Sequence, residues 1–85
     1  MNVTVLFFAS LREALGTGRE TLVLPPGVRT AGELRAHLCA RGETWQAALG
    51  GSRPVRMAVD QVHAGLDAPI AGAREVAFFP PVTGG

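Results

Sequence analysis

Val76-Ala77-Phe78-Phe79-Pro80-Pro81-Val82-Thr83-Gly84-Gly85 opens as an apolar, strand-like run and stops at two prolines, which have no N–H for a sheet ladder and hold φ near one value. The chain beyond them must leave the sheet. The proline pair favours an extended, polyproline-like course, and the β-branched Val82 and Thr83 disfavour helix, so the last residues should project from the body. The six residues from Pro80 to Gly85 could reach about 20 Å when stretched. Gly84 and Gly85 carry no side chain, which suits a tip that passes where no Cβ would fit. Fraying of an ordinary terminus is the plainer reading of Gly-Gly alone. It does not explain an aromatic strand, a stiff spacer and a bare tip in that order. The sequence thus divides into a folded body, residues 1–79, and a flexible extended tail, residues 80–85.

The body is small. Eighty-five residues with 47% hydrophobic content form one domain with one modest core. No run approaches the roughly 18 apolar residues of a membrane span, and Met1-Asn2-Val3 does not begin a signal peptide. A single cysteine, Cys39, excludes an internal disulfide framework and fits a reducing compartment, so a cytoplasmic location is expected. A net charge of +1, with the eight basic residues scattered, argues against nucleic acid. All eight are arginine, so no ε-amine is present to be acylated.

Upstream, Val3 to Ala9 reads as a strand with Val3, Val5 and Phe7 on one face and Thr4, Leu6 and Phe8 on the other. Ser10-Leu11-Arg12-Glu13 matches a capping box and predicts a short helix ending at Gly16. Arg19 to Leu24 is a second strand, closed by Pro25-Pro26-Gly27. Thr30-Ala31-Gly32-Glu33 is a second capping box and opens the main helix, with Ala31, Leu34 and Leu38 at helical spacing and Gly42 as its stop. Thr44 to Leu49 predicts one further helical turn with Trp45 and Leu49 on one face, followed by a Gly50-Gly51-Ser52 turn. Val55 to Val59 alternates as a strand, and an irregular return through Gly65, Pro69 and Gly72 leads to the last strand at Glu75.

This order predicts an α+β domain with a helix packed across one face of a sheet. If the first and last strands are neighbours, Leu6, Phe8 and Phe79 share the face opposite the helix. Unless a loop covers them, they form a partner patch beside the root of the tail.

The body offers little chemistry. His37 and Cys39 are two apart on a helix and point different ways, and His63 stands elsewhere, so no metal site is expected. A Cys-His nucleophile fails by the same geometry, and a phosphate loop of the Gly-x-x-x-x-Gly-Lys type is impossible without lysine. Glu13, Glu20, Glu33 and Glu75 read as caps or surface groups. The distinctive group left is the terminal carboxylate of Gly85, which must be activated before a nucleophile can attack it.

Leu6-Phe7-Phe8-Ala9-Ser10-Leu11-Arg12-Glu13 and Glu75-Val76-Ala77-Phe78-Phe79-Pro80-Pro81-Val82-Thr83-Gly84-Gly85 resemble the small, sulfur-carrying subunits of molybdopterin synthase, the MoaD family of ubiquitin-like β-grasp proteins. The similarity spans essentially the whole chain in length and element order, and its specificity lies in the two ends. The resemblance implies a β-grasp fold with a mixed sheet and a cycle in which Gly85 is adenylated by an ATP-dependent activating enzyme of the ubiquitin-activating type. A persulfide-bearing sulfur donor then converts it to a thiocarboxylate. The tail enters the large subunit's pocket and gives sulfur to cyclic pyranopterin monophosphate, in a heterotetramer built on a dimer of large subunits.

On this reading the chain is a non-catalytic carrier that holds no permanent cofactor. Leu6, Phe8, Phe79, Pro80, Pro81, Val82, Thr83 and Gly84 contact partners. His63 falls where an apolar contact is expected in relatives. A sulfur carrier for thiazole synthesis, a lysine-linked protein modifier and an inert interaction module are the alternatives.

Overall fold

The computed structural model describes residues 2–50 and 54–81. The chain runs β1 (Asn2–Phe7), α1 (Ala9–Leu15), β2 (Arg19–Val23), α2 (Ala31–Cys39), α3 (Glu43–Leu49), β3 (Arg56–Val59), β4 (Val62–Ala64) and β5 (Glu75–Phe79). The five strands form one mixed sheet in the order β2-β1-β5-β3-β4. β1 and β5, the first and last strands, lie parallel at its centre, with Val5 opposite Val76 and Phe7 opposite Phe78. The other pairings are antiparallel.

Alternation along these strands separates two faces. Val3, Val5 and Phe7 of β1, Met57 of β3 and Val76 and Phe78 of β5 point to one side. They close there on Leu11 of α1, Ala31, Leu34 and Leu38 of α2, Ala48 and Leu49 of α3, and Ile70. A large apolar side chain buried from water in this way contributes about 1.5–3 kcal/mol. Phe7 stacks on Phe78 with centroids 5.9 Å apart, and Trp45 meets the Phe7 ring edge-on at 5.6 Å. The Arg41 guanidinium lies 4.6 Å from the Trp45 ring centroid and forms a two-pronged pair with Glu20, Nη1 donating to Oε1 at 2.7 Å and Nη2 to Oε2. That pair straps the end of α2 to β2.

The start of α2 agrees with the expected box. The Glu33 N–H donates to Thr30 Oγ1 at 3.1 Å, and Glu33 Oε1 accepts from the Thr30 and Arg29 amides. Two further N–H groups of its first turn, on Ala31 and Gly32, donate to the carbonyls of Ala68 and Leu66. These two donors, which have no partner within the helix, tie its start to the loop after β4.

Three local expectations are corrected. Ser10 does not cap α1: the N-cap is Phe8 and makes no side-chain cap bond. The Phe8 amide still donates to the Phe78 carbonyl while the Phe8 carbonyl already accepts from Leu11, so the sheet's last rung sets where the helix begins. The turn between the two falls on Ala9, at φ 53°. Gly42 is not the stop of α2, whose C-cap is Ala40; instead it is the N-cap of α3, at φ 150°. α3 is a seven-residue helix rather than a single turn.

The return after Val59 is also not wholly irregular. Asp60 and Gln61, at φ 48° and 70°, make a tight hairpin turn into β4. Asp60 Oδ1 accepts from the amides of Arg74 and Glu75 and so pins this hairpin to the start of β5. The expected Gly50-Gly51-Ser52 turn lies largely outside the described residues. Among the described residues, no helix is long and apolar enough to cross a membrane.

Candidate functional site

All three helices pack on one face of the sheet, and among the described residues no helix covers the other. The register sets which residues occupy that open face. One row across the strands reads Arg19, Leu6, Ala77, Ala58 and His63. In the next, toward the C-terminal ends of β1 and β5, Phe8 succeeds Phe7 off β1 and Phe79 stands opposite Arg56. Leu6 and Phe79 are half-buried, and Phe8 is 47% exposed. Ala77 and Ala58 are buried between their neighbours, since methyl groups stand little higher than the backbone around them.

The centre of this face is therefore a shallow apolar floor bounded by phenyl rings. Leu6, Phe8 and Phe79 come together as the alternation implied. Pro80 and Pro81 succeed β5 directly and are half-buried, so the tail leaves from the edge of the apolar floor. Val82, Thr83, Gly84 and Gly85, the remainder of the expected site, lie outside the described residues.

The site has polar neighbours, of which the sequence had singled out His63 but not the two arginines. His63 meets Phe79 edge-on, with centroids 5.6 Å apart and planes at 85°. Arg56 and Arg19 are exposed on either side of the apolar floor, on β3 and β2. Finding them needed the register: Arg56 is opposite Phe79 only because β3 lies antiparallel to β5, a pairing that no local spacing encodes.

The other candidates stay apart. Cys39 is free and half-buried, and burial pushes its thiol up, against a smaller opposing pull from Arg35. An activated thiolate needs the reverse shift. Among the described residues no three His, Cys, Asp or Glu side chains converge to hold a metal ion. Glu20 is held below its ordinary value, first by the hydrogen bond from Arg41 and then by that residue's charge, with burial opposing. It fastens β2 to α2 and does not face the apolar floor.

The ThiS family model matches residues 5–85. Over 83 residues the chain is 40% identical to the molybdopterin synthase sulfur carrier subunit of Escherichia coli (strain K12), covering 98% of this chain and 99% of that protein. It is 37% identical, with the same coverage, to the molybdopterin synthase sulfur carrier subunit of Haemophilus influenzae. The crystal structure of SAMP1 from Haloferax volcanii superposes over 100% of both chains with a TM-score of 0.78 at 23% identity. A likeness at that identity fixes the fold, which is the ubiquitin-like β-grasp.

Proposed function

This chain belongs to the ThiS family, and from that footing we propose that it is the sulfur-carrier subunit of a molybdopterin synthase. It is a small carrier rather than the catalytic subunit. Its body is the handle by which partners hold it, and its C-terminal Gly85 is the reagent. The single observation that carries this reading is near full-length identity to two named sulfur carriers, and an uncovered apolar floor at the root of a Pro80-Pro81 tail agrees with it.

The chemistry proceeds in four steps. An activating enzyme brings ATP to the terminal carboxylate, whose oxygen attacks the α-phosphorus and releases pyrophosphate, leaving an acyl adenylate. The terminal sulfur of a donor persulfide attacks the acyl carbon and AMP departs. A second thiol takes the donor's sulfur as a disulfide and frees the thiocarboxylate. The tail then enters the large subunit's pocket, where the thiocarboxylate sulfur bonds to a carbon of cyclic pyranopterin monophosphate in place of an oxygen on that carbon. Water cleaves the resulting thioester, so that the sulfur stays on the pterin and Gly85 returns to a carboxylate. A dithiolene has two sulfurs, so two carriers discharge per product, which suits two small subunits on a dimer of large ones.

Docking on the face of Leu6, Phe8 and Phe79 brings the tail to the pocket, because the prolines begin where Phe79 ends. The Gly84-Gly85 tip needs a narrow channel, and any added Cβ would obstruct it.

The test is the intact mass of the chain after incubation with its activating enzyme, ATP and a persulfide donor. Replacement of one oxygen by sulfur supports the carrier, whereas a ladder of conjugates or an unchanged mass overturns it. Gly85→Ala, or one residue appended after Gly85, is expected to abolish molybdopterin formation in the reconstituted synthase while the urea unfolding midpoint stays that of the parent.

A further inference from the structure

On the reading that the open face docks onto a large subunit, we infer that the subunit presents a carboxylate against Arg56, making an apolar contact with a charged edge on the β3 side. Arg56 stands directly across the β3–β5 ladder from Phe79, and directly opposed residues on such a pair have Cβ atoms only about 5 Å apart. A surface that covers the Phe79 ring therefore also covers, or closely borders, the guanidinium. Removing an arginine from water without a partner is far costlier than leaving it exposed, and a carboxylate answers its fork with two parallel hydrogen bonds.

No described residue of the chain neutralises this charge. Arg56 is exposed and has no ion-pair partner among the described residues. The two rows that hold Leu6, Phe8 and Phe79 also hold Arg19, Arg56 and His63, and no carboxylate. Glu75, the acidic residue of β5 on this face, is four positions back along the strand, about 13 Å at the rise of a strand and beyond one Debye length at ordinary salt. The apolar strip is thus bracketed by cations at the end where the tail departs. His63, edge-on to Phe79, adds a ring nitrogen on the same side as Arg56. The complementary surface is apolar opposite β1 and β5 and acidic opposite β3.

The experiment titrates the full chain against the large subunit encoded by the same genome, at about 50 mM and about 500 mM salt, where screening differs severalfold. Arg56→Glu is expected to weaken binding at least tenfold at low salt, with the deficit shrinking at high salt. Arg56→Leu is expected to weaken it at least threefold, because the partner's carboxylate loses its mate. Arg29→Glu, an exposed charge reversal ahead of α2, should stay within twofold.

Arg56→Leu binding as tightly as the parent or more tightly, as an extended apolar patch would, overturns the inference. So does Arg56→Glu within twofold of the parent. A parent chain that fails to bind, or Phe79→Asp binding like the parent, sinks the docking reading itself and is told apart by that pattern. Unfolding midpoints of every variant show whether a loss of binding reflects a loss of fold.

Discussion

The two faces of the sheet are made from alternate residues of the same strands, yet they do different work. Phe78 and Phe79 are chain neighbours. Phe78 is fully buried, stacked on Phe7 beneath the helices, while Phe79 lies half-buried on the other side with His63 against its edge. What separates them is a single step of the pleat, which turns one ring toward the cover and the other toward the open face. Stability is thus concentrated on one side, the docking proposed above falls on the other, and substitutions should separate them.

The largest separation is expected from truncating the two rings in turn. Phe78→Ala removes a fully enclosed ring and should cost about 3–5 kcal/mol in urea unfolding, enough to threaten the fold of so small a domain. Phe79→Ala should cost about 1 kcal/mol or less, because part of its ring already meets water. Its deficit should appear in binding to the large subunit. Equal losses of stability would erase the distinction between the faces.

A smaller effect tests the cover itself. Thr30→Ala breaks the box that starts α2, leaves the Glu33 amide without its acceptor and should cost about 1 kcal/mol by thermal or urea unfolding. Affinity for the large subunit should remain that of the parent, since α2 lies on the far side of the sheet. A change in affinity larger than the change in stability would show that the cover and the open face communicate.

The strap between β2 and α2 should matter less. Arg41 and Glu20 are each roughly one-third exposed, so Glu20→Gln should cost less than about 1 kcal/mol. The sign of its pH dependence comes from the depressed carboxyl. Folding holds Glu20 ionised more readily than the unfolded chain does, so the contribution is fully present above the ordinary carboxylate range and fades as pH falls through the folded value. The stability difference between parent and Glu20→Gln should therefore be present at neutral pH and vanish in acid. A difference that grows on acidification would contradict the assignment.

Much of this division was legible in the sequence. Val3, Val5 and Phe7 against Thr4, Leu6 and Phe8 gave the two faces of β1, and Phe79 joined the second set once β1 and β5 were placed side by side. Thr30 with Glu33 gave the start of α2. The elements missed were those settled by contacts distant in sequence. Ser10 reads as a cap, but the rung from Phe8 to Phe78 starts the helix earlier. β4 comes after a turn made by Asp60 and Gln61, which lacks the glycine that normally marks it, and its geometry is held by amides from β5. Arg56 is unremarked in the sequence because its neighbour Phe79 is far along the chain.

The smallest stability effect is expected at Ala9, where the chain crosses from the open face to the cover. Its φ of 53° costs an alanine about 1–2 kcal/mol relative to the right-handed region, a strain that glycine does not feel. Ala9→Gly removes that strain but gives the unfolded chain more freedom, a penalty of about 0.4–1 kcal/mol. The two nearly offset, so stability should change by no more than about 1 kcal/mol, in the favourable direction. Ala9→Val has no such offset: a β-branched side chain in that conformation is strained outright, and the domain should lose stability. If glycine destabilised as much as valine, the turn at Ala9 would owe its shape to the alanine methyl. The hydrogen bonds of Phe8 to Phe78 and Leu11 would then no longer account for where the cover begins.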